Sequence, residues 1–313
     1  RPGKADNVLD CPEYDTIPDA DERRRWREAM AERGYDMWPS GPIYGRSYND
    51  AYPFTDWTLD PLGYLARMQE LIDDGFAVNF HAIPDSGDAV LPDGTPNFAW
   101  LDRVLKPIYQ SPEYQAVLGH GEITIAWEPN WESAVWERAA KWVLECFPNA
   151  EMIWVHMEPG HSGPGKGHED EGFCWRRIAP YVDGCSFQSR QFGERDYAWD
   201  DKLGRPSRRT RRQQFLREVW DICRRFESGL NGWPTAGRTG KRLVLRVGEY
   251  ASYWRYNNAA TEAEANAFGD LIWSTPAYED PDNAGEIIDL TPYLPLSLGD
   301  GSTSLGIPTA APR

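Results

Sequence analysis

Two rhythms of apolar and polar residues take turns along the chain. In DPLGYLARMQELIDDGFAVNFHAIPD, residues 60–85, the apolar residues Leu62, Leu65, Met68, Leu71 and Ile72 recur at helical spacing and share one face. Asp60 can cap that helix, Pro61 suits its first position and Gly75 ends it. Residues Phe76–Ile83 then read as a strand. The couple recurs. Helices are predicted at Asp21–Arg33, closed by Gly34, at Ser133–Phe147, ended by Pro148, at Glu171–Tyr181 and at Arg212–Phe226. Another is predicted at Thr261–Ile272, opened by the capping box of Thr261 and Glu264. Strands are predicted near Asn7–Leu9 and at Tyr35–Trp38, Gly121–Glu128, Glu151–Glu158, Asp183–Gln188, Lys241–Glu249 and Gly285–Leu290.

With Phe76–Ile83 these make eight strands alternating with helices, which predicts an α/β fold of the (β/α)8 TIM-barrel kind. One domain is expected over residues 1–313, with the Gly-, Ser-, Thr- and Pro-rich tail at 292–313 as a C-terminal extension. A doubly wound open sheet is the alternative.

Alternation within each strand assigns the faces. Phe76, Val78 and Phe80 should face helices and leave Asn79 and His81 toward the barrel axis. Ile123, Ile125 and Trp127 should face helices and leave Glu122, Thr124, Ala126 and Glu128 inward. Ile153, Val155 and Met157 leave Trp154, His156 and Glu158 inward, and Cys185 and Phe187 leave Ser186 and Gln188 inward. On the seventh strand Glu249 shares a face with Leu245 and Val247, and Arg246 on the other face fits poorly against an apolar helix layer. Polar side chains thus gather inside, near strand carboxyl ends, where a barrel carries its active site.

Two carboxylates stand out there. Glu128 ends the fourth strand in IAWEPNW, and Glu249 ends the seventh in LRVGEYAS, 121 residues on (249 − 128). Retaining glycoside hydrolysis needs such a pair, one acid and one nucleophile, about 5 Å apart. A low-dielectric wall of Trp127 and Trp131 would raise the pKa of Glu128 and keep it an acid.

Composition narrows the partners. With 33 basic and 49 acidic residues the formal charge is −16, so nucleic acid and membrane surfaces are not expected as partners. The run RRTRR at 208–212 is read as the solvated start of a helix. Aromatic content is high, with 15 Trp, and rings suit cores and flat sugar faces alike. Trp38, Trp57, Trp131, Trp199, Trp233 and Trp254 fall in or near loops that could line a sugar cleft. Five cysteines without a CxxC pair argue against a zinc knuckle, and Cys146 and Cys223 are expected as buried thiols. No apolar run reaches the ~18–20 residues of a bilayer span. No signal peptide is visible, and the start RPGKADN, without Met, suggests trimming from something longer.

Other motifs fall short. GHSGPGK at 160–166 has phosphate-loop spacing, but Gly167 stands where Ser or Thr should hold Mg²⁺. His156, His161, His168 and Glu158 match no metal-ligand spacing, and no G-x-S-x-G elbow is present. Neither a metal nor another cofactor is expected.

The arrangement resembles the clan of retaining (β/α)8 glycoside hydrolases that includes cellulases, mannanases and xylanases. The likeness rests on Glu128-Pro129 and Gly248-Glu249. It implies Glu128 as acid/base, Glu249 as nucleophile and a β-linked mannan, glucan or xylan as substrate. Trp127 stands where the clan usually has the Asn that holds the sugar 2-hydroxyl; Asn130, His81 or His156 are the candidates to replace it. Tyr250 and Tyr253 are candidates for a clan tyrosine near the nucleophile. His81, His156, Glu158 and Gln188 would orient the sugar, with Trp38, Trp127, Trp131, Tyr250 and Trp254 lining its path. The wording of the chain is also similar to phage-encoded glycosidase-like proteins, so an extracellular or virion-associated place is favoured. A non-catalytic carbohydrate-binding barrel is the competing expectation.

Overall fold

The computed structural model describes residues 3–4, 19–32, 37–40, 61–84, 87–126, 131–157, 171–188, 207–209, nine positions between 213 and 229, 233–241, 243–248, 277–289 and 302–303. Six strands form one parallel sheet: β2 (Met37–Ser40), β3 (Ala77–Ile83), β4 (Glu122–Ala126), β5 (Met152–Met157), β6 (Gly184–Gln188) and β7 (Val244–Gly248). They lie in chain order, β2-β3-β4-β5-β6-β7, with no reversal. Two short pairs stand outside that sheet. β1 (Gly3–Lys4) pairs in parallel with β10 (Ser302–Thr303), and β8 (Tyr278–Glu279) pairs antiparallel with β9 (Ile287–Ile288).

Helices cross between the strands. They are α1 (Ala20–Glu32), α2 (Pro61–Asp73), α3 (Phe98–Trp100), α4 (Lys106–Tyr109), α5 (Pro112–Leu118), α6 (Ser133–Cys146) and α7 (Glu171–Ile178), with a π turn Leu101–Leu105 joining α3 to α4. Local chemistry accounts for their ends. Asp19 Oδ1 accepts from the Glu22 amide at 2.7 Å ahead of α1. Asn97 caps α3 and Ser111 caps α5, which has Pro112 in its first turn. After α2 the chain turns at Gly75, φ +86°, where a side chain would be strained.

The helix layer covers the apolar face of the sheet. Phe80 of β3 meets the rings of Tyr109 and Phe147, at 5.4 and 5.9 Å between centroids. Tyr109 also donates its hydroxyl to the Ala82 carbonyl of β3 at 2.7 Å, and burial holds that phenol well above its usual pKa. Cys146 is a buried free thiol at the end of α6, as expected, and burial pushes its pKa up. Gln115 closes the same corner by donating to the Tyr109 and Cys146 carbonyls. α1 is tied to α2 by Arg23, whose guanidinium grips Glu70 through two 2.8 Å bonds.

At the amino ends of β5 and β6, Asp183 accepts from the Ile153 amide at 2.9 Å. Arg238 clamps Asp183 and also donates to the Ala150 carbonyl at 2.9 Å. Gly237 is required there: a Cβ would sit 2.5 Å from the Val182 carbonyl oxygen.

Several expectations need correction. Leu62, placed on the buried face of α2, is 58% exposed; it lies in the first turn, before the helix reaches the core, while Leu65, Met68 and Leu71 are buried as expected. The strand expected at Tyr35–Trp38 is Met37–Ser40. The last strand expected at Gly285–Leu290 is the two-residue β9, paired antiparallel with β8 through a turn at 280–286 rather than with the parallel sheet. The basic run is not a solvated helix start at Arg209, whose side chain is 6% exposed and grips buried Asp280 through two 2.8 Å bonds. Arg217 adds bonds to Asp280, at 2.7 Å, and to Glu286. Ser207 and the Arg208 amide satisfy Asp282. Burial alone would raise the pKa of Asp280, but the Arg209 hydrogen bonds, the Asp282 amide and the two guanidinium charges outweigh it and hold it low. The first strand near Asn7–Leu9 and the helix at Thr261–Ile272 lie outside the described residues.

Candidate functional site

Register decides which residues share a face of a parallel sheet, because paired residues point the same way. His81 pairs with Thr124, Thr124 with Trp154, and Trp154 with Gly184. His156 pairs with Ser186, and Ser186 with Arg246. Asn79 pairs with Glu122. These rows form one polar set running from β3 to β7. The other set holds Phe80 with Ile123 and Ile153, then Val155, Cys185 and Leu245, and Phe187 with Val247. From β3 to β6 the register groups residues as the alternation read from sequence does; on β7 it reverses the expected faces, since Leu245 pairs with Cys185 and Val247 with Phe187.

Arg246 finds its place in this pairing. In register it pairs with Ser186, which pairs with His156, while Leu245 pairs with Cys185 and Val247 with Phe187. Sequence reasoning missed it because it judged β7 alone; parity with Cys185 and Phe187 of the neighbouring strand was the available signal.

The centre of the polar set is buried. His81, Glu122, Thr124 and Trp154 are all nearly closed to solvent, as is Ala126 at the carboxyl end of β4. Trp154 donates its indole N–H to Glu122 at 3.1 Å across the β4–β5 pair. A buried carboxylate of this kind needs such donors.

Of the other expected site residues, His156 and Gln188 lie on β5 and β6, with Gln188 paired to Gly248. Trp38 pairs with Val78, which puts it in the register set opposite His81. Trp131 is corrected too. It is only 5% exposed, packs on Trp136 with ring centroids 5.0 Å apart, and donates its N–H to the Gly94 carbonyl at 2.9 Å. A ring so enclosed has no free face for a sugar; it anchors loops. Trp233 is likewise buried, against Trp175.

Glu128 and Glu249, with Trp127, Asn130, Glu158, Tyr250 and Trp254, lie outside the described residues. Their chain positions relative to the strands are nonetheless plain. Glu128 is the second residue after β4, and Glu249 directly follows β7. Strict alternation would give residue 249 the parity of Leu245 and Val247, but the strand ends at Gly248, so register assigns it no face. Among the described residues no group of three or more His, Cys, Asp or Glu side chains is arranged to hold a metal ion. No helix among them is long and apolar enough to cross a membrane.

No protein-family model matches the chain, and no curated protein matches it in sequence. Solved structures do. A family 5 glycoside hydrolase of subfamily 18 from Bifidobacterium longum subsp. infantis is similar at 11% identity and TM-score 0.49, over 99% of this chain and 76% of that one. A family 5 mannosidase from Rhizomucor miehei, solved with mannosyl-fructose, is similar at 11% identity and TM-score 0.44, over 94% and 86%. A D-psicose 3-epimerase from Clostridium cellulolyticum H10 is similar at 13% identity and TM-score 0.37, over 82% and 78%. Glycoside hydrolases of the kind the sequence resembles are thus among the structures similar to this chain. The likenesses span more than one chemistry and carry no argument about what this chain does.

Proposed function

We propose that the chain is a retaining glycoside hydrolase, built as a (β/α)8 barrel and acting on β-linked polysaccharide of the mannan, glucan or xylan class. Glu128 protonates the leaving oxygen and later activates water. Glu249 attacks the anomeric carbon and forms the glycosyl-enzyme. His81, His156 and Gln188 stand on the polar set that would orient the sugar.

One observation carries this reading: two glutamates follow the carboxyl ends of β4 and β7 in a parallel sheet whose strands run in chain order. Right-handed crossovers between strands in that order put every helix on one face. The other face must then be covered by the sheet itself, and β4 is buried on both faces. Closure also serves the chemistry. β4 and β7 are three interstrand steps apart, about 14 Å along the sheet, too far for a carboxylate pair in a flat sheet. Side chains pointing inward across a closed barrel can bring the oxygens to the ~5 Å that retention requires.

The test is hydrolysis across a panel of mannan, glucan and xylan, followed by reducing-sugar release. Glu128→Gln and Glu249→Gln should each lose more than ~100-fold on whichever polysaccharide is cut. A chain that binds a polysaccharide but releases no sugar, with or without the substitutions, would be the non-catalytic binding barrel instead.

A further inference from the structure

We infer that the β8–β9 hairpin is an acid-released strap: its carboxylates hold the arginines of residues 207–217 at neutral pH, and in acid it lets go as a unit while the six-stranded sheet stays folded. The hairpin forms a two-stranded sheet apart from the large one. Its apolar grip is small. Ile288 is buried and Tyr278 packs against the core, but Ile287 is 51% exposed. Tyr278 also donates its hydroxyl to the Gln213 carbonyl at 2.6 Å. So little apolar burial leaves the docking chiefly to ion pairs, and elements with few buried apolar contacts are the ones that open locally. The large sheet is held differently. Phe80, Ile123 and Ile153 are closed to solvent, and acid changes nothing in such contacts.

The charges are arranged so that acid turns attraction into repulsion. Asp280 lies buried at the centre. Its Oδ1 accepts from Arg209 Nε at 2.8 Å, and its Oδ2 accepts from Arg209 Nη2 at 2.8 Å and from Arg217 Nη1 at 2.7 Å. The Asp282 amide and the Asn283 side chain donate to the same carboxylate. Asp282 in turn accepts from the Ser207 hydroxyl and from the Arg208 amide and guanidinium. Arg217 also holds Glu286 of the hairpin and Asp221 of its own helix. One oxygen of Asp280 thus serves two guanidinium groups. Charged, it binds them together; protonated, it leaves two cations side by side. Arginine keeps its charge at any pH the protein survives, so it cannot relieve that repulsion by titrating. The bonds from Arg209 hold the Asp280 carboxyl below its ordinary value in spite of burial. The folded value being the lower one, the strap is fully held above the unfolded value of ~3.9 and is released as pH falls through the folded value.

Amide hydrogen exchange of the full chain, read by mass spectrometry from neutral pH down to about pH 2 and corrected for the intrinsic pH dependence of exchange, tests this. Peptides covering 277–289 and 207–209 should lose protection together, about tenfold or more, below about pH 4. Peptides covering β3 and β4 should keep theirs at the same pH, and return to neutral pH should restore the strap. Asp280→Asn keeps the shape and removes the charge, so its strap peptides should exchange at neutral pH as those of the wild type do in acid. Glu286→Gln removes an outer acid and should raise the pH of release; it carries the test if Asp280→Asn does not fold. Strap and sheet peptides losing protection at one and the same pH would mean global unfolding and overturn the proposal. Strap peptides still protected at about pH 2 would overturn it as well, since Asp280 would then have lost its charge without effect. So would a release pH that neither substitution moves.

Discussion

The protein buries polar groups in two places, by different means. In the sheet, His81, Thr124 and Trp154 form a row across three strands, with Glu122 held by the Trp154 indole. In the hairpin of β8 and β9, Asp280 and Asp282 are held by guanidinium and backbone groups from residues 207–217, some 70 residues away in the chain. The first set is repeated along strands and matched across them. The second is a closed set of opposite charges, each acid facing a base. Charge met by countercharge locks one element to another. A row of polar residues along parallel strands instead repeats from strand to strand.

That contrast can be broken or sharpened by substitution. The largest effect should come from Asp280→Ala, which strands Arg209 and Arg217 without their buried partner; about 3–5 kcal/mol of stability should be lost by urea unfolding, with kcat per folded molecule unchanged. Gly237→Ala drives a methyl into the Val182 carbonyl beside the Asp183–Arg238 clamp and should cost about 1–3 kcal/mol in the same assay. Trp154→Phe removes the donor to Glu122 and should cost about 1 kcal/mol, and on the function proposed above it should also lower activity.

The smallest effect is in acid. The folded-state pKa of Asp280 is depressed, so its stabilising contribution is complete above the unfolded carboxyl value of ~3.9 and is lost as pH falls through the folded value. Urea midpoints of wild type and Asp280→Asn should therefore differ by a constant amount above about pH 4 and draw together only as pH falls further, through the depressed folded value.

The two regions also differ in how they could be read beforehand. The strand rows were legible because alternation is a local signal: Phe80, Ile123 and Ile153 on one side and His81, Thr124 and Trp154 on the other follow from period two. Arg246 was misjudged from one strand and placed by pairing with Ser186. The ionic lock was not legible, because nothing within RRTRR points to an acid 70 residues on, and an unpartnered basic run looks solvated. For the same reason residues 285–290 looked like a further barrel strand, although β9 is held by its hairpin partner and the Arg217–Glu286 pair. The helices between β3 and β4 carried signals that went unread, in Asn97 and Ser111 with Pro112. Trp131 shows the limit for aromatics: a ring next to a candidate acid suits a sugar or a core equally, and only the Gly94 bond and the contact with Trp136 decide.

The most direct test is the configuration of the first sugar released, followed by proton NMR before mutarotation. Two glutamates facing each other at the short separation predict a β-anomer from a β-linked substrate. An α-anomer as the first product would mean a wider gap with water between the acids, and Glu249 would not be a nucleophile.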